Sequence, residues 1–192
     1  DTAGDGSDFF TAHVLDGRTG EQVAVLKHQF DADQYTRQVY CLGMYYRQAL
    51  IGIEANFDSY PIRELQRLGY PRQYVRLAQD SNTGKMERRF GFKTTSLTRP
   101  TAISQLIELV REHCDLIRDE DTLEELLTIV RSEKGRIEAP IGGHDDQMMG
   151  LAIAHEVRSQ VVFDQSPICM EQAGWFGRRE ERGDTGEEIR VI

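Results

Sequence analysis

Apolar and polar positions first follow a strand-like pattern and then a helical one. Residues 9–15 (FFTAHVL) mix aromatic, β-branched and apolar side chains. The turn Asp16-Gly17-Arg18-Thr19-Gly20 follows, and residues 22–26 (QVAVL) read as a second strand, so a β-hairpin is predicted. Tyr35, Val39, Leu42 and Tyr46 recur at helical spacing behind Asp31, a suitable cap, predicting a helix over 31–48. Residues 50–53 (LIGI) form a short buried strand that stops at Glu54. A helix over 59–68 then carries Ile62, Leu65 and Leu68 on one face and ends at Gly69.

The second half continues the alternation. Residues 74–78 (YVRLA) predict a strand, the turn Asp80-Ser81-Asn82-Thr83-Gly84 follows, and a basic, glycine-containing stretch runs to residue 95. Ser96 or Thr98 caps the next helix, with Pro100 in its first turn and its end near His113. Leu116-Ile117 reads as a brief strand, and Asp119 opens an amphipathic helix with Leu123, Leu126 and Leu127. Ile141-Gly142-Gly143 breaks the chain before a last helix from Asp145 to about Ser159. This order predicts an α/β domain with helices flanking a central mixed β-sheet over residues 1–164. The polar, charged composition after residue 165 predicts a flexible C-terminal tail over 165–192. The chain opens at Asp1 without methionine, so an excised domain or a missing natural N-terminus is expected, and a strand just before Asp1 would complete the sheet.

Composition narrows the function classes. The chain has 192 residues, 39% of them hydrophobic and 29% charged, ordinary for a soluble globular protein. Its apolar runs are too short to span a bilayer, and no secretion signal opens it. Three cysteines (Cys41, Cys114, Cys169), widely spaced and without a CxxC pair, argue against a disulfide framework or structural zinc and for a reducing compartment. A net charge of −9 excludes a protein that coats nucleic acid indiscriminately, but it agrees with a cluster of carboxylates awaiting cations.

Such a cluster is legible. Asp1 lies where a first strand would turn into the hairpin, Glu54 follows a short apolar strand, and Asp145-Asp146 open a helix after a glycine break. In an α/β sheet, strand ends and helix N-termini converge on one edge. Carboxylates gathered there need a counter-charge, which hard divalent cations such as Mg²⁺ or Mn²⁺ supply through oxygen ligands. Two such ions roughly 3.5–4 Å apart activate a water and stabilise the leaving 3′ oxygen of a phosphodiester. Asp146 shares a stripe with Met149, Ile153 and Val157, which favours it as the main ligand, with Asp145 as a cap or second ligand. Singly, each acid also reads as a turn residue, a salt-bridge partner or a cap. His144 reads either as a packing or capping residue or as a hydrogen-bond partner of the scissile phosphate or a metal-bound water. Asp8, like Asp5, reads as a turn residue or as part of a metal's outer shell.

Four motifs in order carry a family resemblance: Asp1-Thr2-Ala3-Gly4 with Asp8-Phe9-Phe10-Thr11-Ala12; Ile53-Glu54-Ala55-Asn56; Gly91-Phe92-Lys93-Thr94-Thr95 with Arg99-Pro100; and Gly143-His144-Asp145-Asp146. Over residues 1–158 the chain resembles the nuclease domain of the large terminase subunit of tailed bacteriophages and related viruses. The resemblance implies an RNase H-like fold, shared with resolvases, and metal-dependent cleavage of double-stranded DNA during viral packaging. It implies a triad of Asp1, Glu54 and either Asp145 or Asp146, holding two divalent cations. The partners it implies are DNA, an upstream ATPase domain, a portal protein and a small terminase subunit. The setting is the cytoplasm of an infected or lysogenic bacterium, and the isolated domain would cut without ATP. Asp58 departs from the family, which often has glycine there.

Lys85, Arg88, Arg89, Lys93 and Arg99 form a basic stretch against the single acid Glu87, able to neutralise phosphates without reading bases, or else to serve as a solvated hairpin. Two other readings compete. The opening Asp-Thr-Ala-Gly-Asp-Gly is similar to a phosphate loop of actin-like and sugar-kinase ATPases, although a second glycine-rich loop and an adenosine motif are missing. A non-catalytic domain gripping DNA or a portal protein is the other.

Overall fold

The computed structural model describes residues 9–29, 31–56, 58–80, 83–132 and 135–161. Asp1, Asp8 and the predicted tail lie outside the described residues. The chain divides into Asp1–Val161 and Val162–Ile192, and the first unit is described here.

The elements run β1 (Phe10–Leu15), β2 (Gln22–His28), α1 (Ala32–Tyr45), α2 (Tyr60–Arg67), β3 (Val75–Gln79), β4 (Met86–Phe90), α3 (Thr98–His113), a 3₁₀ turn (Cys114–Leu116), α4 (Glu120–Thr128), β5 (Val130–Arg131), β6 (Ile137–Glu138) and α5 (Asp146–Arg158). The mixed α/β class follows. The expected single central sheet does not assemble among the described residues, whose strands pair as three two-stranded antiparallel sheets. Parallel pairing is confined to two bridges, Ile51 to Gln73 and Glu54 to Phe92. The predicted strand at 50–53 is extended but forms no ladder, because its partners change along its length. Ile51 bonds to Arg72 and Tyr74, whereas Ile53 and Ala55 bond to Phe92. Leu116-Ile117 corrects to a 3₁₀ turn followed by extended, buried Ile117; two apolar residues cannot fix a period on their own.

Alternation along β1 and residues 51–54 builds two apolar layers. Phe10 and Ala12 join Ile51 and Ile53 against α1 and α2, packed with Tyr35, Val39, Ile62, Leu65 and Tyr70. The opposite faces meet α5, whose Met148, Met149, Leu151, Ala152 and Ile153 are buried with Ile103 and Leu106 of α3 and Ile117. Two glycines permit this seating. A side chain at Gly150 of α5 would meet Thr11 and His13 of β1, and one at Gly52 would meet Val157. Gly91, at φ +83°, lies where a side chain would strike Ile62 and the Ile53 carbonyl, so it lets the β3–β4 hairpin close on residues 53–55.

Candidate metal and nucleic-acid site

Period-two geometry places Glu54 on the same side of its segment as Gly52, the side packed against α5. Glu54 is 4% exposed, and its carboxylate has no hydrogen-bond or ion-pair partner among the described residues. Its charge reaches Tyr35: burial pushes the Tyr35 phenol well above its ordinary range, and Glu54 adds to that shift. The Tyr35 hydroxyl donates to the Thr11 carbonyl at 3.0 Å, and Thr11 Oγ1 donates to the Asp146 carbonyl at 3.0 Å. A chain of hydrogen bonds thus runs from Tyr35 of α1 through Thr11 of β1 to the first residue of α5.

At that end of α5 the two aspartates have different surroundings. The Phe9 N–H donates to Asp146 Oδ2 at 3.2 Å, and His144 Nδ1 lies 3.4 Å from the same oxygen. The His144 ring meets the Phe9 ring edge-on at 5.6 Å. Asp145 stands at the cap position without a side-chain capping bond; its Oδ2 instead accepts from Arg99 at 2.8 Å. Arg99 also donates to the Ile137 carbonyl at 2.8 Å. Asp146 therefore faces β1 and His144, while Asp145 is neutralised by an arginine.

Residues 147–153 of α5 are all buried, so the helix has no single apolar face there and its phase does not separate Asp146 from Asp145. Contacts separate the two acids. Asn56 shows how the motifs join: its side-chain amide donates to the Thr94 carbonyl at 2.7 Å and its oxygen accepts the Thr94 N–H at 3.0 Å. The loop after Glu54 is thereby clamped to the Gly91–Thr95 stretch. Asp58 has its own local role, with Oδ1 accepting the Tyr60 N–H at 2.7 Å as α2 begins.

The basic residues separate into two groups. Lys85, Arg88 and Lys93 are exposed, with no side-chain partner among the described residues. Arg89, opposite Arg76 in register, turns to Asp80 at 3.3 Å and Glu87 at 3.5 Å. Arg99 is half-buried and held by Asp145, so it is poorly placed for a phosphate. Leu77, Met86 and Phe90 are exposed on the face that also carries Arg88.

Two residues that sequence reasoning did not single out lie close to the first turn of α5 and to Phe9. Glu125 of α4 accepts the Met148 N–H at 2.8 Å, and burial raises its pKa above the ordinary carboxylate range. Lys27 of β2 lies 4.0 Å from Glu125 and 5.1 Å from the Phe9 ring centroid. An acid three residues after Thr122 in an amphipathic helix, and a lysine following an apolar strand, were the only signals for them.

Among the described residues, no three of His, Cys, Asp and Glu gather closely enough to hold a metal ion, and no helix is long and apolar enough to cross a membrane. No protein-family model, curated protein or solved structure matches this chain.

Proposed function

We propose that the chain is a metal-dependent endonuclease cutting double-stranded DNA, with an RNase H-like fold, acting as the nuclease domain of a viral packaging terminase. Glu54 carries this reading. It is a buried carboxylate with no donor or cation beside it among the described residues, and a hard divalent cation is a partner that relieves such burial. Glu54 and Asp146 would hold Mg²⁺ or Mn²⁺, with Asp1 as the expected third ligand. When bound, the cations activate water and offset charge on the leaving 3′ oxygen. The chain's own residues do the rest. The Phe9 N–H orients the Asp146 carboxylate, Thr11 fixes the start of α5, and His144 is placed to hydrogen-bond a water or phosphoryl oxygen. Lys85, Arg88 and Lys93 grip the phosphate backbone without base contacts.

A second reading is a non-catalytic domain that grips DNA or a portal protein, with the exposed Lys85, Arg88 and Lys93 supplying the grip. Nicking of supercoiled plasmid separates the two. The nuclease reading expects Mn²⁺-dependent cutting, abolished by EDTA and reduced by about 10²-fold or more in Asp146→Asn and Glu54→Gln. Metal-independent DNA binding with no nicking at any Mn²⁺ concentration would instead establish the second.

A further inference from the structure

We propose that Lys27, held by Glu125, is a phosphate-contacting residue of this site, an inference that rests on the nuclease reading. Lys27 sits directly opposite Thr11 in the β1–β2 register, so both side chains project from the hairpin face that α5 covers. Thr11 bonds the Asp146 carbonyl. Lys27 lies over the ring of Phe9, the residue whose N–H reaches Asp146 Oδ2 and whose ring abuts His144. Its ammonium thus stands among the groups that surround Asp146.

Its partner explains how it is held. Glu125 Oε1 accepts the Met148 N–H, giving the first turn of α5 the carboxylate cap that Asp145 does not give it. The other oxygen, Oε2, faces Lys27 at 4.0 Å, with the side chains 28% exposed for Lys27 and 8% for Glu125. That separation is an electrostatic approach rather than a closed hydrogen bond, so with respect to the described residues the ammonium keeps donors for an incoming anion. A lysine beside the positive end of a helix gains nothing from the helix dipole. The placement suits a phosphate that must approach two carboxylates. Arg99, the other cation at this end of α5, is engaged by Asp145 and the Ile137 carbonyl.

In hydrolysis the water oxygen forms a bond to phosphorus as the bond to the 3′ oxygen breaks. The water's proton passes to solvent, and the 3′ oxygen takes one up. Negative charge grows on the non-bridging oxygens between these events, and the Lys27 ammonium donates a hydrogen bond to one of them, staying protonated throughout. Glu125 is a positioning residue, acting through Lys27 and the start of α5.

The test compares Lys27→Met, Lys27→Arg and the natural chain in Mn²⁺ under single turnover, with duplex affinity in Ca²⁺ and thermal melting measured alongside. Lys27→Met is expected to slow cutting by about 10²-fold with near-normal affinity and melting, and Lys27→Arg to restore most of the rate. Lys27→Met cutting within twofold of the natural chain, or a loss that Lys27→Arg does not restore, overturns the inference. If Lys27→Met melts below the assay temperature, Lys27→Gln takes its place at a temperature where every variant is folded. A natural chain that does not cut overturns the nuclease reading and this inference with it. One that cuts alongside an equally active Lys27→Met overturns this inference alone.

Discussion

His13 shows at the residue scale how burial sets a pH limit. Gln22 Nε2 donates to His13 Nδ1 at 2.9 Å, and His13 Nε2 is sealed from solvent without a close hydrogen-bond partner among the described residues. Burial lowers its pKa to about 3, with Asp119 pulling up and His155 pushing down. Burial, followed by Arg158, lowers that of His155 to about 4. Both folded values lie below the unfolded value of 6.5. Below that pH the unfolded chain takes up protons that the folded chain refuses, so stability falls as pH falls, from 6.5 toward 4 and then 3. The slope from His13 approaches about 1.4 kcal/mol per pH unit, with less from the more open His155. Glu125 works in the opposite sense: its raised pKa adds stability at low pH that fades as pH climbs. Melting temperature followed by circular dichroism should drop across this window, and more gently in His13→Asn; an unchanged slope in that variant would refute the assignment. Glu54 gives a second expectation at this scale. Glu54→Gln removes a buried charge that no described residue pairs, so in EDTA it should melt no lower than the natural chain. It should also lose the stabilisation that Mn²⁺ gives the natural chain. An intact Mn²⁺ response in that variant would remove Glu54 from the metal site.

Among the elements, α5 decides whether the site exists, because it touches β1 at Gly150 and residues 51–54 through Val157. Gly150→Ala inserts a methyl group against Thr11 Oγ1 and the His13 ring. Alanine is the better helix former by about 1 kcal/mol, but overpacking costs about 1–3 kcal/mol and displaces the Thr11–Asp146 contact. Chemical denaturation should therefore show net destabilisation, with nicking reduced further than stability alone explains; a stabilised, fully active variant would show that α5 is seated differently. The same element shows what could be read from residues alone. The hairpin and the helices were legible because each repeats one period over several residues. Residues 114–117 were not, and β5–β6 was missed because a pair of two-residue strands leaves no pattern. Within the candidate site, the positions of Glu54 and Asp146 at element ends could be read from the sequence. Arg99 was read as a DNA contact because its partner, Asp145, lies 46 residues away. Glu125 and Lys27 escaped for the same reason: tertiary contacts between α4, α5 and β2 give them their meaning, and local spacing does not record such contacts.

At the scale of the whole chain, a net charge of −9 leaves a duplex to approach where exposed cations stand clear of acids. Lys85, Arg88 and Lys93 of the β3–β4 region are such cations, whereas Arg89 and Arg99 are engaged by Asp80, Glu87 and Asp145. Each phosphate contact releases counterions and contributes about 0.9 to the slope of log affinity against log salt. Replacing Lys85, Arg88 and Lys93 together with alanine should therefore flatten that slope by about 2–3. Binding should weaken alike on duplexes of unrelated sequence, since backbone contacts carry no base information. Arg99→Ala should leave the slope unchanged, yet lower the melting temperature by exposing the Asp145 carboxylate to its acidic neighbour without a counter-charge. Fluorescence anisotropy over a salt series, in Ca²⁺ to prevent cutting, measures both. An unchanged slope in the triple variant, or a flattened one in Arg99→Ala, would mean that DNA approaches another face. The order of the two effects matters because it separates cations that meet substrate from a cation that holds the site together.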